Sequence, residues 1–375
     1  GKFTAADVLN ARFTENTAKI RTVAMLSTLV LCVMYLVPQI VGAGHLFGLL
    51  LGWDYLPTVL VTGSLMALFV IIGGMKGTSY NQAIQGAILF GAMIFLLVFG
   101  VIHLFGGNPA GVIEASETMV PAKLAAQNAA AVAAAGAAAG PGEAVEAVRA
   151  LMTDAPSAVT PGVGLRDFAN QASLVIALFL GVLGLPHILI KFYTVSNASD
   201  ARKSAEITIW GLAVFYAAIF FVGLIAMYAL YPELLKMIAA GEVGKAKNMT
   251  MPMLGDMLGG QVLMGVIAAG AMAAMLSTSA GLLISATSSL AHDLYKGVIN
   301  PNSTDEQELK FAKVGAFFLA VIAIAMSVWL KEENVAMLVG MCFGIAASTF
   351  APALVFAVWW NCLLYTSPSP RDRYI

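Results

Sequence analysis

Ser277 and Thr278 stand side by side in the run "AMLSTSAGLLIS" (274–285), where most of the other residues are apolar. On a helix, Ala274 lies three and four positions before the two hydroxyls, so its carbonyl shares their face. Three hard, neutral oxygens then converge, which suits a small hard cation that must be held weakly and later released. Sodium fits that description, with Ala274, Ser277 and Thr278 as its ligands. The structural alternative is that such hydroxyls bond back to the carbonyl four residues earlier, or that small residues let helices approach closely.

Other residues are candidates for holding an organic solute. Gly181, Gly184 and Pro186 share one apolar stretch and predict a break near its middle, because proline removes a backbone hydrogen bond and glycine tolerates irregular backbone. Broken helices present free backbone groups to ligands, and a packing kink is the alternative. Gln39, beside Pro38 and ahead of Gly42 and Gly44, could donate an amide N–H to a carboxylate or tie two helices together. Ser348, with Thr349 just before Pro352, is a weaker candidate of the same kind. His187 follows Pro186 within an apolar stretch, so proton or carboxylate binding competes with a purely structural role.

Nothing in the chain spaces residues for catalysis. No phosphate loop, nucleophile triad or zinc pattern is present, so the chain reads as a non-enzyme without a cofactor, with sodium as the only metal. Cys32, Cys342 and Cys362 lie far apart and suggest neither disulfides nor a metal centre. A net charge of −1 with no basic cluster excludes a nucleic-acid surface.

The elements that must position these groups are membrane helices. Of 375 residues, 59% are hydrophobic and 11% charged, and the mean hydropathy is +0.85, outside the range of a soluble domain. A bilayer core needs about 20 apolar residues as helix. Eight such spans are predicted, near 21–50, 55–73, 80–105, 169–193, 204–231, 258–292, 310–330 and 335–360. Lys and Arg gather at one end of the odd-numbered spans, which should face the cytoplasm.

Residues 106–168 are expected to form an extracellular, alanine-rich connection, with a short amphipathic helix over 142–152. The character changes abruptly after Trp360, and 361–375 is expected to be a non-native tail. Ser303 or Thr304, followed by Glu306 or Gln307, predicts a capped helix start. Spans 21–50 and 258–292 are unusually long and lie five spans apart. That arithmetic suits two inverted five-helix repeats whose third helices are long and tilted. The division is then 1–105 for the end of a first repeat and 169–360 for a second.

Four stretches in this order, "YLVPQIVGAG" (35–44), "GGMKGTSYNQAIQ" (73–85), "GLPHILIKFYTVSNASDARKS" (184–204) and "MLSTSAGLLISATSSLAHDLYK" (275–296), resemble the sodium:solute symporter family. The likeness runs from about Lys2 to Trp360 and is greatest to the cation/acetate, short-chain monocarboxylate branch. It implies an all-α membrane protein of leucine-transporter type, here covering core helices three to ten, with the first core helices missing.

The resemblance also implies that Ser277 and Thr278 are sodium ligands, fifteen positions before the Asp293 of "DLY", with Ala274 giving a backbone carbonyl. Many relatives carry an acid where Gln82 stands, and its absence implies one sodium per cycle. The expected activity is sodium-coupled import of a small organic anion such as acetate. Gln39, Gly181, Gly184 and Ser348 are the expected solute contacts. The expected partners are the anion, sodium and the lipid bilayer of a bacterial cell membrane, with a small membrane subunit left open. The alternatives are a symporter for proline or another small solute, or a symporter-like sensor domain.

Overall fold

The computed structural model describes residues 4–13, 16–115, 168–192, 195, 197–240 and 242–360, with the backbone alone over 69–79 and at a few other positions. The helix expected over 142–152, most of the 106–168 connection and the expected tail at 361–375 lie outside the described residues.

Every regular element among the described residues is helical. In chain order they are α1 (Ala5–Arg12), α2 (Thr17–Leu51), α3 (Tyr55–Phe105), α4 (Pro109–Glu114), α5 (Phe168–Gly184), α6 (Pro186–Phe192), α7 (Ala198–Ala239), α8 (Val243–Asn248) and α9 (Thr250–Ser288). A π-helical segment, Ser289–Ile299, prolongs α9, and α10 (Asp305–Trp329), α11 (Val335–Ser348) and α12 (Phe350–Trp359) follow. An apolar environment demands this, since each backbone N–H and C=O must find its partner within its own helix.

Among the described residues, six helical stretches are long and apolar enough to cross a membrane, and a seventh forms if α5 and α6, bent by 43° at their junction, count as one span. Of the expected span at 55–73, the residues described with their side chains form an apolar helix over Tyr55–Leu68, within the longer α3. The two spans singled out for length are long in the structure too, at Thr17–Leu51 and Thr250–Ile299. The second is interrupted early, at Gly259 (φ −139°, ψ 18°) and Gly260 (φ 64°, ψ −164°), and only glycine takes the second conformation without strain.

The described residues form two compact units. The first draws on 1–83, 172–204 and 274–375, the second on 84–171 and 205–273. The second unit is held by aliphatic packing of Met93, Leu96, Val222, Ile225, Leu254, Leu258 and Ile267. Phe90 stacks on Phe215 at 5.8 Å, adding the dispersion contacts that replace hydrophobic burial inside a bilayer.

The first unit is built around α2. Its apolar face packs Leu31 with Leu185, Ala346 and Phe350, and α1 contributes Ala5, Ala6 and Leu9 to the same cluster. The predicted start of α10 is a capping box: the Thr304 hydroxyl accepts from the Gln307 N–H, and the Gln307 side chain accepts from the Thr304 N–H.

Candidate functional site

Within the first unit α2 and the latter part of α9 run antiparallel. Near one end, a Cβ added to Gly42 would meet Met275 Sδ at 2.9 Å. Near the other, Arg21 Nη1 lies 3.1 Å from Asp293 Oδ1. Between those two anchors Gln39 falls at the level of Ser277 and Thr278, and Thr28 at the level of Ser285 and Ser289. Pro38 is buried inside α2 one residue before Gln39, so the backbone there lacks one helical hydrogen bond.

The hydroxyls of α9 divide into two groups. Ser279, Ser285 and Thr287 donate to the carbonyls of Met275, Gly281 and Leu283 at 2.7, 2.8 and 2.7 Å. The side-chain hydroxyls of Ser277 and Thr278, and of Ser288 at the end of the helix, all three residues half-buried, have no hydrogen-bond partner among the described residues. Back-bonding is therefore the habit of this helix, and the adjacent pair departs from it. Gln39 is 8% exposed and its amide also has no partner among the described residues.

Gln82 reaches the same place from α3. Its Nε2 donates to the Ser277 carbonyl oxygen at 2.8 Å. A Cβ at Gly281, one turn further along α9, would stand 3.7 Å from that Nε2 and 3.6 Å from His187 Cβ. Gly281, Gln82 and His187 thus close around one turn of α9. The His187 ring meets Tyr35 edge-on at 5.3 Å, and its Nδ1 is buried without a partner among the described residues.

The predicted break is at Leu185, with Pro186 opening α6, where its missing N–H costs nothing. A second break separates α11 from α12 at Thr349 (φ −105°, ψ −77°). The two breaks adjoin: a Cβ at Gly184 would lie 2.5 Å from the Ala346 carbonyl oxygen and 3.1 Å from the Ala351 nitrogen, and one at Gly181 would lie 2.5 Å from the Phe343 oxygen. Gly181 and Gly184 therefore serve here to bring two backbones together. Ser348, beside the second break, is exposed and donates to the Gly344 carbonyl at 2.8 Å.

At the lysine-rich end of α9 a carboxylate is fully buried. Asp293 is 0% exposed. It accepts from Thr4 Oγ1 at 2.8 Å, Ser289 Oγ at 2.6 Å and Arg21 Nη1 at 3.1 Å. The same guanidinium reaches Asp7 Oδ1 at 2.9 Å, and His292 Nε2 lies 3.3 Å from Asp7 Oδ2. Burial alone would push the Asp7 carboxyl up, but its bond to His292 and the nearby Arg21 charge outweigh this and hold it well below the usual carboxylate range. Asp7, His292 and Asp293 are close enough to share a metal ion, but Arg21 already supplies the positive charge there.

Three features go beyond the sequence reading. Thr349 was noted for its hydroxyl and not as a break, although Pro352 three residues on was a usable signal. Asp293 served only as a counting mark, and its value as an ionisable group at the end of an apolar stretch was available. Gln82 was singled out, but its bond to a carbonyl 195 positions away has no local signature.

The comparisons bear on these residues. A similar chain is the uncharacterized symporter YwcA of Bacillus subtilis strain 168, 35% identical over 362 residues, which cover 96% of this chain and 63% of that protein. The present chain therefore spans just under two thirds of its relative's length. A solved structure with the same fold is the substrate-bound, outward-open state of a Na+-coupled sialic acid symporter with a novel Na+ site. It matches with a TM-score of 0.62 at 14% identity, over 96% of this chain and 66% of that one. The family model described as sodium:solute symporter family matches residues 1–364, and the chain, a multi-pass membrane protein, belongs to that family of transporters.

Proposed function

We propose that this protein is a sodium-coupled secondary symporter of a bacterial cell membrane that imports a small organic anion, such as acetate or another short-chain monocarboxylate. The observation that carries this is the state of Ser277 and Thr278: two adjacent hydroxyls left unpaired in mid-helix, where the neighbouring Ser279, Ser285 and Thr287 bond back to carbonyls. An unpaired polar group away from water is costly, so it persists where a ligand completes it. With the Ala274 carbonyl, the pair offers sodium neutral oxygens.

Gln39, level with that pair, would donate to the solute carboxylate. Gly181 and Gly184 hold the two helix breaks together, and with Ser348 they would form the remaining wall of the solute site. The long α2 and α9 with a broken α5–α6 between them support an inverted-repeat, leucine-transporter-type arrangement in which one bundle rocks against another. The named substrate of the structurally similar symporter is itself an acid, which supports an anionic solute. Because the Gln82 amide donates to the Ser277 carbonyl, an N–H occupies the place where an acid would draw a second cation, and we assign one sodium per cycle. One sodium moving with one monovalent anion carries no net charge, so the sodium concentration gradient, and not the membrane potential, drives the cycle.

The test is uptake of labelled acetate and pyruvate into proteoliposomes containing the full-length protein, driven by an inward sodium gradient or a matched potassium gradient. Sodium-dependent uptake that disappears in Ser277→Ala/Thr278→Ala is the expected result. Uptake that runs on a proton gradient and ignores the double substitution would overturn it.

A further inference from the structure

Two turns from the hydroxyl pair, the first unit holds a small, partly open cavity, lined in part by hydroxyls, that the proposed chemistry does not use. It has a volume of about 10 Å³ and is lined by Thr4, Ala5, Thr28, Pro186, Ile190, Ser285 and Ser289. Such a space admits one sphere the size of a water or a small bare cation. Its four hydroxyl-bearing residues come from the chain ahead of α1, from α2 and from the α9 rod, and they are 7%, 4%, 4% and 2% exposed for Thr4, Thr28, Ser285 and Ser289.

The direction of their hydrogen bonds decides what the cavity suits. Thr4 and Ser289 give their protons to the two carboxylate oxygens of Asp293, and Ser285 gives its proton to the Gly281 carbonyl. Three of the four oxygens thus have lone pairs left and no proton to give. The Thr28 hydroxyl, 4% exposed, has no hydrogen-bond partner among the described residues. A water placed here finds acceptors for its own hydrogens but few donors for its lone pairs. A small hard cation finds only what it needs. Behind the hydroxyls Asp293 adds negative potential, tempered by Arg21 at 3.1 Å.

The placement along α9 gives the cavity a use. Thr278, Ser285 and Ser289 are spaced seven and four residues apart and lie on one face of the rod, so the cavity is the next oxygen-lined point between the pair and the lysine-rich end. Resting on the sodium-coupled reading, we propose that this cavity is a second, transient binding site for the coupling cation, occupied between its departure from Ser277 and Thr278 and its release. Thr4 forms one wall, so displacement of Thr4 opens the cavity to the inner side.

Full-length protein in oriented proteoliposomes tests this, with sodium as the probe. The external sodium giving half-maximal uptake and the internal sodium giving half-maximal solute efflux are measured for the parent, Thr28→Val, Thr28→Ser and Ser285→Ala. Removing one oxygen ligand is expected to raise the internal value about five-fold in Thr28→Val and Ser285→Ala and leave the external value unchanged, with Thr28→Ser close to the parent. Unchanged internal values in all variants would show that the cavity holds only water and would overturn the proposal while sodium coupling stands. Equal shifts on both sides would overturn it too, as a general disturbance of the fold. A parent whose transport ignores sodium would take down the coupling reading itself, and this inference with it.

Discussion

The two compact units solve the same problem with different materials. In the second unit Gln85 is the lone buried polar side chain among the described residues, and aliphatic and aromatic packing does the rest. The first unit buries Thr28, Gln39, Ser279, Ser285, Thr287, Ser289 and Asp293 around the α2–α9 pair. Placing polar groups away from water is expensive, and a chain that needs only to pack avoids it. The concentration of such groups in one unit therefore marks where the chemistry lies, before any ligand is considered.

That contrast can be broken most forcefully at its two buried extremes. Asp293→Ala would leave Arg21 with Asp7 as its remaining carboxylate and strand two hydroxyl donors, and unfolding of the full-length protein in detergent should show a loss of about 3 kcal/mol. Gln85→Leu in the second unit removes a side chain whose Oε1 is buried without a partner. It should be neutral or slightly stabilising in the same measurement. Equal losses at both positions would mean that buried polarity carries no information about location.

The glycines sharpen the difference at smaller scale. Gly184→Ala places a methyl 2.5 Å from the Ala346 carbonyl oxygen, an atom of helix backbone, and should cost about 1–3 kcal/mol or more. In the second unit, Gly100→Ala meets side chains alone, Ile225 at 3.2 Å and Leu258 at 3.7 Å, and its expected cost is below about 1 kcal/mol because side chains can give way. Thermal unfolding of the two variants side by side separates them.

The smallest expected effect concerns pH. Asp7 has its carboxyl held down in the folded protein, so its contribution is present above the unfolded value of about 4 and is lost as pH falls through the lower folded value. Asp7→Asn should therefore reduce thermal stability at neutral pH, and the gap to the parent should close as the pH is lowered below about 4. A gap that stays constant with pH would show that the Asp7 carboxylate charge is not what ties α1 to Arg21.

How much of this was readable in advance follows from the range of the interactions. The capping box at Thr304 and Gln307 and the break at Leu185 are local, set by residues within three positions of one another, and both were read correctly. The candidate hydroxyls were visible as residue types, but their unpaired state was not. It depends on which rotamer each adopts, and Ser279, two residues from Ser277, takes the other choice. The Arg21–Asp293 pair joins positions 272 residues apart, and no periodicity carries that information. The π-helical turn at 289–299 likewise left no mark in a pattern that continues the spacing of α9.

The anchoring of α2 to α9 at two separated levels has a mechanical consequence. Eighteen residues of helix separate Met275 from Asp293, a length of about 27 Å. Two rods fastened at points so far apart can neither slide past each other by a turn nor pivot without undoing a fastening. They behave as a single strut, and a strut can guide a moving part but cannot be one. Movement in the first unit then falls to pieces that end against the strut, among them the short α1 and the hinged α5–α6.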